Sequence, residues 1–429
     1  MREVLHITTH MGGGVGKALS GVAAYAARTG AGWRHRILLL EQPEKMNFVD
    51  VCRADGVEII CGAGDGEIRE AIRSSDLVQI EWWHHPRMAA FLTDFPQVET
   101  HLTVWAHVSG AWYPYIPPAF LRVPQRFIFT SPYSLDNPYW GAAERSWARE
   151  HTSVVHSSGG FAAIRPHAER ENDGRFVVGY IGTQSYAKLH PNFVAYCAGV
   201  AHLPGIAFVL VGDVTNAAAI RAAAEEYGIA EKFRFVDYVS DVSAELSQMD
   251  VFGYLLSPTH FGTTENALLE AMAAEVPVIA LDQCAEKYLV ENNETGLLVK
   301  NQEEYCRVVS YLYAHPEERC RLGRAAREAI LRDFAVERTA VQLHAIYDAV
   351  LREDTCCYDF RAALGRVPHE FFLNGLPHEL RSMFTVQESA AAELPPILRE
   401  YSKSSLPHFC RVFPADEQLH RWQVQFCGS

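Results

Sequence analysis

Short, continuous apolar runs alternate with longer stretches of helical periodicity along most of the chain. The runs predict strands over residues 4–8, 36–40, 57–60, 77–82, 102–106, 127–130 and 153–155. After a charged segment closed by Asn172-Asp173-Gly174, the alternation restarts at 175–181, 207–211, 233–236, 251–256, 278–281 and 296–299. Apolar runs without in–out alternation, separated by helix-length segments, indicate parallel sheets covered on both faces. Two doubly wound α/β domains in succession, joined by a linker at 166–174, are the simplest account. Binding crevices are then expected at the carboxyl ends of the strands. Residues 302–352 read as helical, with Val336, Ala340, Leu343, Ile346 and Val350 on one face. Beyond Glu353 the pattern becomes short helical and coil pieces broken by Pro368, Pro377, Pro395, Pro396, Pro407 and Pro414. This tail keeps its aromatic residues and reads as an ordered appendage.

Length supports the two-domain reading, because 429 residues exceed what one core usually organises. A net charge of −14 argues against a general nucleic-acid binder, which needs a basic face. The acidic excess falls almost wholly after residue 170, so the first domain is near neutral. The ten cysteines show no CxxC pair, which excludes a zinc ribbon or thioredoxin-like site and suits reduced thiols in a cytoplasmic protein. No run reaches the roughly 18 apolar residues of a membrane span, and the first residues read as a strand rather than a leader peptide.

The segment from Ser257 to Asp282 concentrates the chemistry. An apolar strand enters a small polar loop, the loop opens a helix bearing Glu265 and Glu270, and a second apolar strand follows. Free backbone N–H groups and the helix dipole make such a helix start an anion site. Carboxylates just inside it accept hydrogen bonds from sugar hydroxyls. Phosphate beside polyol is the chemistry of a nucleotide sugar. Earlier in the chain, Gly12-Gly13-Gly14-Val15-Gly16 follows the first strand. It fails as a P-loop, since ending on Gly16-Lys17 places Met11 at the first glycine and Ala18 at the hydroxyl position. A dinucleotide fingerprint from Gly12 or Gly14 ends on Lys17 or Leu19 and fails too. What remains is a backbone able to approach a ligand closely, or a tight turn.

Together the Gly12–Gly16 loop, Gly182 to Lys188, Glu270-Ala271-Met272-Ala273, Pro277-Val278-Ile279-Ala280 and Glu294 to Val299 resemble the retaining glycosyltransferases of family 4, which have the GT-B fold. The resemblance covers about residues 1–350. It implies two facing Rossmann-like domains: residues 1–168 on the acceptor side, 174–335 on the nucleotide-sugar side, a helix at 336–352 returning to the first, and an appendage of unknown role at 353–429. By the same resemblance Gly13, Gly14 and Gly16 face donor phosphate and acceptor, and His107, at the end of a strand, contacts the transferred sugar. His84 and His85, after another strand, compete for that role. Lys188 supplies a cation to the leaving diphosphate near Gly182, while Thr183 stands where the family usually has arginine. Glu270 matches the ribose-binding glutamate. Its usual partner eight positions earlier would fall on Gly262, so Glu265 is the carboxylate left to reach the sugar. Thr263, Thr264 and Asn266 offer donors to the phosphates, with Thr264 alternatively the helix cap. The apolar, aromatic stretch from Trp112 to Leu121 is either an acceptor wall, a membrane-facing edge or a packed loop.

The implied activity is transfer of a sugar from a nucleotide diphosphate sugar with retention of configuration and no metal or other cofactor. The acceptor is a glycan, a lipid-linked species or a small molecule, and a lipid-linked one would bring the first domain against a membrane surface. Two alternatives stand beside it: an epimerase-like enzyme of the same fold, and a donor-binding scaffold that has lost catalysis, the latter suggested by Thr183 and Gly262.

Overall fold

The computed structural model describes residues 1–30, 32–43, 45–166, 174–239, 241–385 and 393–427. Most of the linker expected at 166–174 lies outside the described residues. Contacts divide the chain into two compact units, one of Met1–Gly160, Phe261–Thr263 and Val336–Ser429, the other of Phe161–His260 and Thr264–Ala335.

The first unit carries seven strands, β1 (Arg2–Thr8), β2 (Trp33–Leu39), β3 (Glu58–Cys61), β4 (Leu77–Trp82), β5 (Leu102–Ala106), β6 (Arg126–Phe129) and β7 (Thr152–Val154). They pair in parallel in the order β3-β2-β1-β4-β5-β6-β7. Strand order reverses between β1 and β4, so their carboxyl ends diverge and leave a crevice. The Gly13–Thr29 helix leaves the end of β1, and the Pro86–Thr93 helix leaves the end of β4.

The second unit holds β8 (Phe176–Ile181), β9 (Ile206–Val211), β10 (Phe233–Val236), β11 (Val251–Tyr254), β12 (Val278–Leu281) and β13 (Leu297–Val299) in the order β10-β9-β8-β11-β12-β13. Here the reversal falls between β8 and β11. Every predicted run becomes a strand, with ends shifted by two residues at most except at the start of β2. Burial on both faces explains the clarity: β8, β11 and β12 have no exposed position.

The Val336–Val350 helix buries Ala340, Leu343, Tyr347 and Val350 with Val4, Leu77 and Trp105 of the first unit. The tail also belongs to that unit. Its prolines begin helices rather than break them: Pro368, Pro396 and Pro407 occupy first-turn positions, where the missing N–H has no intrahelical partner to lose. Phe372 is fully buried, with Phe384, Phe409 and Trp422 rings at 5.2, 5.4 and 6.1 Å, and three tail helices pack on the Pro86–Thr93 helix.

Candidate functional site

In the second unit, two loops at the reversal point build the site. β8 ends at Gly182, whose φ of 152° and contact with Tyr180 leave no room for a side chain. Buried Gln184 reaches the carbonyls of Leu210, Gly212 and Val236 at 3.2, 3.1 and 2.8 Å, tying this loop to the ends of β9 and β10. The Lys188 carbonyl accepts from the Ser257 N–H at 2.8 Å, joining the loop after β8 to that after β11.

These anchors aim Lys188 at Glu265, Nζ to Oε2 2.8 Å, and the Tyr254 hydroxyl donates to the same oxygen. Glu265 is the residue that opens the Asn266–Ala273 helix, a place considered for Thr264. Its carboxylate is buried. Burial alone would favour its neutral form, but Lys188 and then His260 outweigh this and hold it below its ordinary pKa. Buried His260 stands between two carboxylates, 3.7 Å from Glu265 and 3.2 Å from Glu286. Burial opposes its charge, yet Glu286 and Glu265 raise its pKa to about 10. Lys188 and His260 thus face Glu265 and Glu286. His260, Cys284 and Glu286 place ligand atoms within 4.8 Å of one another, and His260 and Glu286 of the three form an ion pair.

Glu265, expected to reach sugar hydroxyls, is thus engaged with Lys188 and Tyr254. Glu270 lies half-buried further along the same helix. Asn266 Oδ1 is buried with no hydrogen-bond partner among the described residues. Gly262 and Thr263 group with the first unit, where the Thr130 hydroxyl donates to Thr263 Oγ1 at 2.6 Å.

In the first unit the Gly12–Gly16 loop follows β1. Gly13 has φ 63°, and a Cβ on Gly16 would lie 2.4 Å from the Met11 carbonyl oxygen. The helix begins with Gly12 as its cap, with no side-chain capping bond and no acidic residue in its first turn. Gly13 and Gly14 are exposed.

His107 follows β5 and belongs to a buried relay. Its Nε2 lies 2.6 Å from Glu81 Oε2, and Glu81 Oε1 is 2.7 Å from His6 Nδ1 and 2.8 Å from the Gln79 amide nitrogen. His6 Nε2 meets His35 Nδ1 at 2.8 Å, and His35 Nε2 meets His344 Nε2 at 2.9 Å. Burial disfavours a charge on Glu81, but the hydrogen bonds from His107 and His6 prevail and bring its pKa down to about 2. Burial, then His6 and His344, keeps His35 well below its ordinary value, and burial with His6 brings His344 to about 4. An ionised Glu81 thus accepts from His6 Nδ1–H, and the neutral His35 and His344 continue the line of ring-to-ring hydrogen bonds. It likewise accepts from His107 Nε2–H.

The competing histidines have other work. His84 is buried at φ 61° against Phe409, Tyr113 and Gly375, and His85 caps the Pro86–Thr93 helix, its Nδ1 accepting from Arg87 N–H at 3.2 Å. The aromatic stretch packs inward, with Tyr113, Ile116, Phe120 and Leu121 buried. Sequence reasoning passed over Glu81, His6, His35 and Tyr254. A signal was present: Glu81 and His6 stand beside apolar neighbours in β4 and β1, and a buried charge needs a partner. His260 and Glu286 carried no such mark.

Two doubly wound parallel domains in succession, with this loop–helix site at the reversal of the second, define the GT-B fold class. Residues 164–329 match the profile of the family described as Glycosyl transferases group 1. The chain is similar to the putative glycosyltransferase EpsD of Bacillus subtilis, 28% identical over 192 residues, which cover 44% of this chain and 49% of that protein. It thus spans about half the length of that curated relative. Among solved structures, a glycosyltransferase from Rickettsia africae superposes with a TM-score of 0.66 at 14% identity, covering 82% of this chain and 99% of the other. Anabaena Alr3699/HepE in complex with UDP and glucose gives 0.63 at 14% identity, covering 81% and 100%. No helix among the described residues is long and apolar enough to cross a membrane.

Proposed function

We propose that this protein is a glycosyltransferase that moves a sugar from a nucleoside diphosphate sugar to an acceptor hydroxyl with retention of configuration. The observation that carries the reading is the Lys188–Glu265 pair, 2.8 Å apart at the start of the Asn266–Ala273 helix, with Glu270 further along it. Glu265 offsets the desolvation of the ammonium and holds it ready, so a diphosphate meets a positioned cation beside helix N–H groups. Glu270 receives the ribose hydroxyls. In the first unit, Glu81 presents His107 in one tautomer to the sugar.

In the reaction the bond between the anomeric carbon and the β-phosphate oxygen breaks. The acceptor oxygen bonds to that carbon on the same face, and its proton passes to the departing phosphate oxygen. The products are a glycoside and a nucleoside diphosphate. Stabilising the charge that grows on the leaving phosphate is the contribution asked of Lys188. The solved Anabaena structure with UDP and glucose makes UDP-glucose the first donor to try.

Calorimetry with UDP-glucose and a panel of other nucleoside diphosphate sugars, followed by detection of released nucleoside diphosphate across an acceptor panel, tests the reading. Conversion of donor to an isomeric nucleotide sugar without acceptor would instead identify an epimerase. If no nucleotide sugar binds, or if Lys188→Ala and Glu270→Ala bind it as well as wild type, the assignment fails.

A further inference from the structure

Two loops of the second unit bring an imidazole, a thiol and a carboxylate together. The loop after β11 supplies His260, and the loop after β12 supplies Cys284 and Glu286. One ligand atom of each lies within 4.8 Å of the others, and all three residues are buried. The donor contacts proposed above use none of the three. His260 turns Nε2 to Glu286, 3.2 Å from each carboxylate oxygen, and Nδ1 to Glu265 Oε1 at 3.7 Å. Hydrogen bonding engages only Oε2 of Glu286. Glu286 Oε1 and Glu265 Oε1 stay buried with no hydrogen-bond partner among the described residues, on side chains 0% and 4% exposed. An orphan carboxylate oxygen in the interior is costly, and a cation shared with the imidazole and thiol would satisfy it.

The two loops are fixed in place before any ligand arrives. The Gln283 amide donates to the Leu256 carbonyl at 3.0 Å, tying the loop after β12 to the one after β11. The His260 N–H donates to the Ser257 carbonyl at 3.1 Å. Cys284 sits at φ 43°, a conformation that costs energy outside glycine and persists where surrounding contacts enforce it. Its thiol donates weakly to the Pro258 carbonyl at 3.4 Å. Pro258 and Asp282 are exposed, so the cluster lies just beneath the surface and an ion has a short way in.

We propose that His260, Cys284 and Glu286 bind one divalent ion of the zinc class, which staples the loop after β11 to the loop after β12. Imidazole with thiolate selects zinc, whereas calcium and magnesium take oxygen ligands. Tetrahedral zinc, with bonds of about 2.0–2.3 Å, sets its ligand atoms about 3.3–3.6 Å apart. The 3.2 Å from His260 Nε2 to Glu286 nearly meets this already. The sulfur, within 4.8 Å of both, needs to close by little more than about 1 Å. Glu265 Oε1 faces the other ring nitrogen, the place of the carboxylate that commonly orients a ligating histidine. Three protein ligands leave a fourth position for water. Without the ion, the trio holds an imidazolium, a carboxylate and a thiol, with no net charge. Binding releases the imidazolium and thiol protons to solvent and takes in a dication, so the net buried charge is unchanged. None of these contacts depends on the proposed glycosyl transfer.

Cobalt(II) is the probe, since it takes zinc's place and reports its ligands by absorption. The full chain, reduced and stripped with a chelator, should bind one equivalent of cobalt. The complex should show the strong visible bands of tetrahedral coordination and a near-ultraviolet thiolate-to-cobalt charge-transfer band, and one equivalent of zinc should remove both. Cys284→Ser should abolish the charge-transfer band. It should also weaken zinc binding, read by competition with a chromophoric chelator, by roughly a hundredfold or more, since losing an outer partner alone costs about 10–100-fold. Glu286→Gln should weaken zinc binding as well. Cys320→Ser, at an exposed cysteine outside the cluster, should change neither readout. The wild-type spectrum decides even where a variant fails to fold: no thiolate band at saturating cobalt would overturn the proposal. A band that survives Cys284→Ser, or that Cys320→Ser removes, would overturn it too.

Discussion

Replacing Glu81 by glutamine removes the charge at the centre of the histidine relay while keeping its shape. The glutamine amide has one oxygen to accept with and an NH2 group that confronts a second imidazole N–H, so one of the bonds to His6 and His107 is lost. The drop of the Glu81 pKa from 4.5 to about 2, at about 1.4 kcal/mol per pH unit, corresponds to about 3 kcal/mol of stability at neutral pH. The sign follows from the depressed folded value: the contribution is full above 4.5 and is lost as pH falls through about 2. His35 and His344 add a term of their own. Both are held neutral in the fold, so stability falls as pH drops below 6.5, but wild type and variant share this loss. The difference between the two proteins isolates Glu81. All eight tryptophans, Trp33 to Trp422, fall in the first unit, so urea unfolding followed by tryptophan fluorescence reports on that unit alone. Glu81→Gln should lower its unfolding free energy by about 3 kcal/mol at pH 7, and the gap should narrow as pH is lowered below 4.5. Equal midpoints at pH 7, or a gap that stays constant down to pH 3, would refute the reasoning.

Lys188→Ala should weaken nucleotide-sugar binding by roughly tenfold or more, the scale of one charge-assisted hydrogen bond, as read by calorimetry. His107→Ala should leave donor affinity near wild type and lower turnover roughly a hundredfold, the range of a single positioned polar group; equal losses in binding and rate would argue against its place at the sugar. His260→Ala leaves Glu286 and Glu265 without the cation between them, and thermal unfolding of the second unit by circular dichroism should show a loss of about 3 kcal/mol or more. Gly212→Ala should also destabilise that unit, because φ is 137° and the added Cβ would lie 2.1 Å from the Gly182 carbonyl oxygen; an unchanged melting temperature would contradict it.

Strands, helices and the loop–helix segment after β11 could be read from the chain because their signals are local. A strand buried on both faces must be apolar throughout, and a glycine loop before a helix is written in consecutive residues. The roles around them could not be read that way. Glu265 stood out as a displaced carboxylate, yet its engagement depends on Lys188 and Tyr254, brought to it by the pairing of β8 with β11. His6 and Glu81 lie on β1 and β4, strands made neighbours only by the reversal in sheet order, and His344 joins them only because its helix packs on this unit. Periodicity and turn chemistry act over a few residues, so the sequence by itself determined two doubly wound domains and the positions of the loops after β1, β8 and β11. The partners of each buried charge are set by which strand ends and helices meet in space, and the tertiary structure alone decided those.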